Sequence, residues 1–229
     1  MSPTIYTSRY PRLDLPSESL WTSIFHATRH DPSLPAFIEA ATGRTLSRAE
    51  LRNLSLQFAH GVRTCLPEDI RLSRGDTAMI FSPSSYAWPI ALLGLVAGGV
   101  RSSLATINYT TVELASHYQY TGARVVFSHP ALISVVFEMF THLGVSREEA
   151  QRRIVVMDYS EDGIRVARKE SVLGMNDLLG HGALPEEEKF DGPQASETVF
   201  ICYTSGTTGE RRAVEVCGLI SALNWLTSF

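Results

Sequence analysis

A run of hydroxyl side chains and glycines near residue 205 has the composition of an anion-binding loop. The stretch YTSGTTGERRAVEV covers residues 203–216. Its glycines permit positive φ and let the backbone approach a ligand closely. Hydroxyls and backbone N–H groups around such a concavity suit the oxygens of a triphosphate. The predicted phosphate-binding residues are Thr204, Ser205, Gly206, Thr207, Thr208 and Gly209.

Two arginines and two flanking strands strengthen this interpretation. Arg211 and Arg212 begin two positions after Gly209 and add donors for charge-assisted hydrogen bonds to phosphate. The apolar stretch TVFICYT precedes the loop and AVEV follows it, so the loop is predicted to connect two strands. The alternative is an ordinary polar Ser/Thr/Gly turn between the same strands.

Three other familiar loops do not match this stretch. A Walker-type loop requires lysine after its second glycine, whereas Glu210 follows Gly209. The dinucleotide fingerprint G-x-G-x-x-G does not occur in the chain. The nucleophile elbow G-x-S-x-G is also missing, because Ser205 stands in the order Thr-Ser-Gly-Thr.

The elements that must hold this loop alternate between strand and helix. Five β-rich runs are predicted as strands: TAMIFS, VRSSLA, ARVVFS, RRIVVMD and TVFICYT. Helices are predicted between the first four, at 87–97, at TTVELASHYQYTG and at ALISVVFEMFTHLG. This alternation predicts an α/β fold with a doubly wound, mostly parallel sheet and flanking helices.

The N-terminal part of the chain carries its own helix signals. A helix is predicted at SLWTSIFHATRH, capped by Ser17 or Ser19, and a short hairpin at PAFIEAATGRTLS. Ser47 followed three residues later by Glu50 predicts a capping box at the start of an amphipathic helix.

Composition divides the chain into five predicted parts. The segment 181–197 is acidic and rich in proline and glycine, and its three glutamates at 186–188 are predicted to be solvated. The parts are an extended N-terminal segment at 1–18, an α/β subdomain at 19–180, an acidic linker at 181–197, a strand–loop–strand unit at 198–216 and a divergent tail at 217–229.

The overall composition indicates a soluble globular protein. The chain has 229 residues, 44% of them hydrophobic, and a formal net charge of −4, which argues against a nucleic-acid partner. Three cysteines without paired spacing favour a reducing compartment. The longest apolar run, at 87–100, is too short to span a bilayer. The predicted location is cytoplasmic; a peroxisomal one would need a C-terminal tripeptide that this chain lacks.

The stretch YTSGTTG, followed by basic residues and VEV, resembles the phosphate loop of the acyl-adenylate-forming (AMP-binding) enzymes. This superfamily includes acyl-CoA synthetases, firefly luciferase and the adenylation domains of peptide synthetases, and the most similar branch is the 4-coumarate:CoA ligase-like one. Upstream, PAFIEAATGRTLSRAEL, RGDTAMIFSPSSYAWPIALLGLVAGGV and YTTVELASHYQYTGARVVFS occur in the family's order. The resemblance extends over roughly residues 20–216 and implies an incomplete N-terminal domain of an adenylate-forming enzyme.

The resemblance implies ATP-dependent activation of a carboxylic acid through an acyl-adenylate, followed by thioester formation with coenzyme A. It implies ATP, Mg²⁺ and coenzyme A as cofactors and a small-molecule carboxylic acid as partner. Residues 204–209 match the phosphate-holding positions, and Arg212 matches a basic residue that is usually lysine. It assigns no catalytic or metal-ligating residue in this chain.

Departures from the family pattern keep a second function open. Residues 209–213 read Gly-Glu-Arg-Arg-Ala where the family usually has Gly-x-Pro-Lys-Gly, and arginine differs from lysine in shape and hydration. Lys169 and Lys189 lie upstream in polar segments and do not match the family's catalytic lysine. Family members are also longer. The alternative is a catalytically inactive truncated remnant that binds nucleotide weakly or serves as an interaction module.

Other reactive side chains favour structural roles. His26 and His30 are spaced four apart, but no third ligand cluster accompanies them, so a solvated helix end is the preferred interpretation. Cys202 and Cys217 flank the loop without a nearby histidine and are interpreted as buried strand cysteines. The aromatic residues Phe81, Tyr86 and Trp88 are expected to pack in the core, with a pocket lining as the alternative.

Overall fold

The computed structural model of the protein describes residues 19–25, 31–40, 42–204 and 212–218. Three predicted features lie outside the described residues: the extended segment 1–18, the candidate metal ligands His26 and His30, and the tail residues 219–229. The helices are α1 (Leu20–Phe25), α2 (Arg48–Thr64), α3 (Trp88–Ala97), α4 (Thr111–Thr121), α5 (Ile133–His142), α6 (Arg147–Arg153) and α7 (Glu161–Glu170). The strands are β1 (Pro35–Ile38), β2 (Thr45–Ser47), β3 (Thr77–Phe81), β4 (Arg101–Ala105), β5 (Val125–Ser128), β6 (Ile154–Val156), β7 (Leu173–Gly174), β8 (Thr198–Tyr203) and β9 (Ala213–Cys217).

The main sheet has the strand order β7-β6-β5-β3-β4-β8-β9. All neighbours from β7 to β8 pair in parallel, and β9 pairs antiparallel with β8 at one edge. The chain moves from β3 to β4 on one side and then returns to β5 on the other side of β3. This change of direction is that of a doubly wound sheet, so the predicted fold class is confirmed.

The strands bury side chains on both faces of the sheet. In β3, Ala78 and Ile80 join an apolar cluster with α1, α2 and α3, while Met79 and Phe81 join a second cluster with α4 and α5. Strands buried on both faces read as continuous apolar runs, as TAMIFS and ARVVFS do. Within the part of the chain that the structure describes, no helix is long and apolar enough to cross a membrane.

The predicted hairpin and helix caps form as expected. β1 and β2 pair antiparallel, and Ser47 with Glu50 completes a reciprocal capping box at the start of α2. The Ser19 side chain, one of two predicted caps, accepts a hydrogen bond of 3.1 Å from the Thr22 backbone N–H.

Helices α2 and α3 cross closely because α3 carries a glycine at the contact. A Cβ added to Gly94 would lie 2.7 Å from Phe58 Cδ1 and 3.0 Å from the Ser55 carbonyl oxygen. Any larger residue at this position would force the two helices apart or distort the phenyl ring. The glycine in the apolar run therefore permits the packing that covers one face of the sheet.

Three elements were missing from the sequence-based prediction. Helices α6 and α7 and the two-residue strand β7 occupy a region for which only β6 was predicted. Helix α6 reads REEAQRR and buries only Ala150, so its hydrophobic periodicity is almost absent. Its start is marked instead by Ser146, whose side chain accepts a hydrogen bond from Glu149 N–H.

The acidic segment 181–197 is attached to the body of the fold. The Glu188 carboxylate pairs with Arg63 at 2.6 Å and with Arg74 at 3.4 Å, and the Glu188 N–H donates to the Ala97 carbonyl oxygen. Glu186 is exposed, as predicted, but Glu188 is half-buried. The segment thus contacts α2 and α3, while its status as a domain boundary stays a prediction.

Candidate functional site

The predicted loop leaves and re-enters the sheet through the β8–β9 hairpin. Tyr203 pairs with Ala213 at the open end of the antiparallel ladder. Beyond this pair the Thr204 N–H donates to the Arg212 carbonyl oxygen at 3.0 Å, and the Arg212 N–H donates to Thr204 Oγ1 at 3.3 Å. Thr204 and Arg212 are therefore brought together at the base of the loop. The other five predicted residues, 205–209, and Arg211 lie outside the described residues.

The base of the loop lies at the carboxyl ends of the parallel strands. Strand β8 runs parallel to β4, with Ser102 opposite Phe200 and Ser103 opposite Ile201. Parallel strands bring their carboxyl ends to one edge of the sheet, where doubly wound folds bind their ligands. The loop, the turn after β3 and the turn after β4 therefore share that edge.

A small cavity lies at the same edge. It has a volume of about 340 Å³ and is bordered by the carboxyl ends of β3 and β4 and by the first residue of α3. Its polar lining comes from Ser82, Ser84 and Thr106, and its apolar lining includes the half-buried ring of Trp88. Trp88 packs against the core, as predicted, and also lines this cavity, whereas Phe81 is fully buried in the core. A larger cavity of about 720 Å³ is lined by α5 and α7, on the helices that cover β5 and β6.

Both described residues of the loop base are exposed to solvent. Thr204 and Arg212 are exposed at the mouth of the hairpin, where Thr204 Oγ1 accepts the hydrogen bond from the Arg212 N–H. An exposed guanidinium binds a phosphate oxygen through directed N–H donors. The pair can thus contribute a hydroxyl and a fixed positive charge to an anion held by the loop.

A buried ring system supports the last strand residue before the loop. The Tyr203 ring stacks on the His117 imidazole, with ring centroids 4.2 Å apart and planes inclined by 30°. His117 Nε2 and Ser103 Oγ form a buried hydrogen bond of 2.5 Å. The Tyr203 hydroxyl is also buried, and burial raises the pKa of this phenol above its ordinary value. Sequence reasoning did not single out Ser103 or His117, although a serine pair inside the buried strand VRSSLA was a possible signal.

The cysteines next to the loop lie in its two strands. Cys202 in β8 and Cys217 in β9 are half-buried, so the prediction of strand positions is confirmed and their burial is only partial. Burial raises the pKa of the Cys202 thiol, which keeps it protonated and weakly nucleophilic near neutral pH. Among the residues described, no cluster of three or more His, Cys, Asp or Glu forms a metal site.

Comparison with known proteins adds an independent observation. The family model described as AMP-binding enzyme matches residues 24–216, which include the sheet, the hairpin and the loop. The 4-coumarate–CoA ligase-like 3 proteins of Oryza sativa subsp. japonica and Arabidopsis thaliana are each 26% identical to this chain. These alignments include 92% and 99% of this chain but only 35% and 37% of the relatives. The chain thus spans about a third of the length of these curated relatives.

Solved structures show the same fold. A long-chain-fatty-acid-CoA ligase (FadD1) from Archaeoglobus fulgidus superimposes with a TM-score of 0.73 at 19% identity, over 96% of this chain and 41% of that protein. The luciferase-like enzyme from the mealworm Zophobas morio also gives a TM-score of 0.73, at 13% identity, over 94% of this chain and 46% of that protein.

Proposed function

Because the chain belongs to the family of AMP-binding enzymes, we propose that it is a portion of an ATP-dependent acid–thiol ligase whose loop at 204–212 holds the phosphates of ATP. The observation that carries this proposal is the closed hairpin base, Thr204 with Arg212, at the carboxyl edge of the parallel sheet. The relatives named as CoA ligases support the reaction class. The remaining loop residues, 205–209, are proposed as ligands on the motif alone.

The proposed chemistry is carboxylate attack on the α-phosphate of ATP with release of pyrophosphate. The loop residues of this chain would hold the β- and γ-phosphates in place, so that the leaving pyrophosphate develops its charge beside fixed donors. Arg212 contributes a permanent positive charge, and Thr204 contributes a hydroxyl. Mg²⁺ would neutralise part of the phosphate charge at this site.

The thiol acceptor and the carboxylic acid substrate are proposed on the basis of the names of the relatives. Coenzyme A is proposed as the thiol that captures the acyl-adenylate, and a small carboxylic acid as the substrate, because the relatives carry CoA-ligase names. The small cavity beside Trp88 and Thr106 adjoins the same edge as the loop and offers a mixed apolar and polar wall for part of such a ligand.

One observation favours a second candidate, a nucleotide-binding remnant without catalysis. The chain matches only about a third of its curated relatives, so the 229 residues alone would hold phosphate without orienting an acid against it. In that case the chain would bind Mg·ATP and leave it unchanged.

Two measurements on the purified chain separate these candidates. Isothermal titration with Mg·ATP tests the loop, and exchange of labelled pyrophosphate into ATP, with and without aromatic and fatty acids, tests activation. Acid-dependent exchange supports the ligase function for this chain. Binding without exchange supports the remnant, and the absence of any Mg·ATP binding contradicts the phosphate-holding role in both.

A further inference from the structure

We infer that His117 is a positioning residue for the base of the phosphate-binding loop, Thr204 and Arg212, and that it acts through Tyr203. The inference rests on the proposed function, because it assigns a role within the site that binds ATP. We refer to Ser103, His117 and Tyr203 as the histidine buttress. It connects the interior of the sheet and a flanking helix to the residue from which the loop departs.

The buttress is anchored at its inner end by two rigid elements. Ser103 is fully buried in β4, opposite Ile201 of β8, so its position relative to the hairpin strand is fixed by the ladder. His117 is 2% exposed and lies within α4, whose N-terminus is fixed by a capping box of Thr110 and Glu113. The 2.5 Å hydrogen bond between Ser103 Oγ and His117 Nε2 therefore orients the imidazole from both elements.

The outer end of the buttress determines where the loop begins. Tyr203 is the last residue of β8, and Thr204, which follows it, closes the loop base with Arg212. The stacked His117 ring at 4.2 Å fixes the plane of the Tyr203 ring, and Tyr109 packs against His117 at 5.5 Å. A small displacement of Tyr203 would move the hydroxyl and the backbone of Thr204, and donor placement within about 1 Å decides how well a reacting group is held.

Burial excludes a catalytic role for the serine–histidine pair. A serine and a histidine within hydrogen-bonding distance have the geometry of a nucleophile and its base. Ser103 is 0% exposed in the middle of the sheet, so no substrate atom can reach its hydroxyl. Two apolar side chains would fill the same space without the desolvation cost of burying a hydroxyl and an imidazole. We therefore assign to this hydrogen bond the role of orienting the His117 ring.

The test compares two substitutions at His117 with a control on the same helix. His117→Phe keeps a ring for stacking but removes the bond to Ser103, and His117→Gln keeps a polar group but removes the ring. Tyr118→Phe is the control, because Tyr118 is also buried on α4 but its ring contacts Phe140 rather than the buttress. Amide hydrogen exchange at Thr204 and Arg212, together with Mg·ATP affinity by titration, is measured on all variants.

Both His117 variants are expected to speed exchange at these two amides and to weaken Mg·ATP binding, each roughly tenfold. The Tyr118→Phe control is expected to change neither the exchange rates nor the Mg·ATP affinity, even where its melting temperature falls as far as those of the His117 variants. Exchange at Thr204 and Arg212 that stays at the wild-type rate in the His117 variants, or rises as much in Tyr118→Phe, overturns the inference.

A more conservative substitution keeps the inference testable if the His117 variants misfold. Ser103→Ala removes the hydroxyl with little change in volume, and faster exchange at Thr204 supports the buttress whereas unchanged exchange overturns it. Wild-type chain that binds no Mg·ATP contradicts the proposed function alone, because the exchange measurement needs no nucleotide and still decides whether His117 positions the loop.

Discussion

Arg212 places a guanidinium at the base of the loop, where its own backbone closes the hairpin with Thr204. Charge-assisted hydrogen bonds to phosphate contribute about twice as much as neutral ones, and their geometry depends on the planar fork of arginine. Arg212→Ala is therefore expected to weaken Mg·ATP binding about tenfold, or by about 1.4 kcal/mol, as measured by isothermal titration. Arg212→Lys keeps the positive charge without the planar fork and is expected to weaken Mg·ATP binding less than Arg212→Ala does.

A matched charge change separates this local effect from the charge of the whole chain. Arg165 is exposed on α7, where it pairs with Asp162, and α7 contacts β6 and β7 at the opposite edge of the sheet from β8. Arg165→Ala removes the same charge and is expected to leave nucleotide affinity unchanged. Equal losses in Arg165→Ala and Arg212→Ala would contradict a contact between Arg212 and phosphate.

Among the individual residues, the sequence predicted the two at the loop base but not the histidine buttress that supports them. Thr204 and Arg212 belong to one short motif, so their proximity follows from the hairpin that the motif implies. Ser103, His117 and Tyr203 belong to three different elements that meet only through the sheet order β4-β8 and the packing of α4. The spacing of residues within a single sequence does not show which of these elements contact each other in the fold.

Among the elements, the α2–α3 helix pair offers the sharpest test of packing. Gly94→Ala places a methyl group against Phe58 and the Ser55 backbone and is expected to lower the free energy of unfolding by about 1–3 kcal/mol. Gly98→Ala at the end of the same helix meets no atom closer than 3.4 Å and is expected to be tolerated. Urea denaturation measures both; a Gly94→Ala loss no larger than that of Gly98→Ala would contradict the close crossing.

The acidic segment is held to the helices by an ion pair with a defined pH dependence. The hydrogen bond from Arg63 lowers the pKa of the Glu188 carboxyl below its ordinary value of 4.5. A lowered folded-state pKa stabilises the fold above the unfolded pKa, and this stabilisation is lost as the pH falls through the folded pKa. Glu188→Gln is expected to lose about 0.5–1 kcal/mol of unfolding free energy at pH 7, with the difference from wild type shrinking below pH 4.5.

Urea titrations at pH 7 and at pH 3.5 provide the measurement. Glu186→Gln is the control, because Glu186 is exposed and pairs with Lys189 in the same segment. A wild-type advantage over Glu188→Gln that persists unchanged at the lower pH would contradict the ion pair as its cause.

The elements themselves were predictable wherever burial was continuous. Strands β3, β4, β5, β6 and β8 and helices α2 to α5 appear where apolar runs and caps predicted them. Helix α7 buries only Gly163 and Ala167, and α6 only Ala150, because charged residues cover most of their surfaces. Their positions depend on contacts with the sheet that a local pattern does not record.

At the scale of the whole fold, the β9 side of the sheet is an open edge among the described residues. β9 is the last strand in the sheet order, and its outer side has no paired strand among the described residues. Ala213, Val214 and Glu215 are exposed, with Val214 at 43%. An exposed edge strand with apolar side chains pairs readily with another chain. The isolated 229-residue chain is therefore predicted to be marginally stable and prone to aggregate.

A lysine on this edge should suppress such pairing, because its charge must be desolvated when a second strand adds to β9. Val214→Lys is expected to slow aggregation several-fold, as followed by light scattering at rising protein concentration. Val112→Lys adds the same charge on α4, where the side chain is 56% exposed and belongs to no strand edge. If both variants slow aggregation equally, net charge and not the β9 edge controls the association; if only Val214→Lys does so, the edge is the site at which copies of the chain meet.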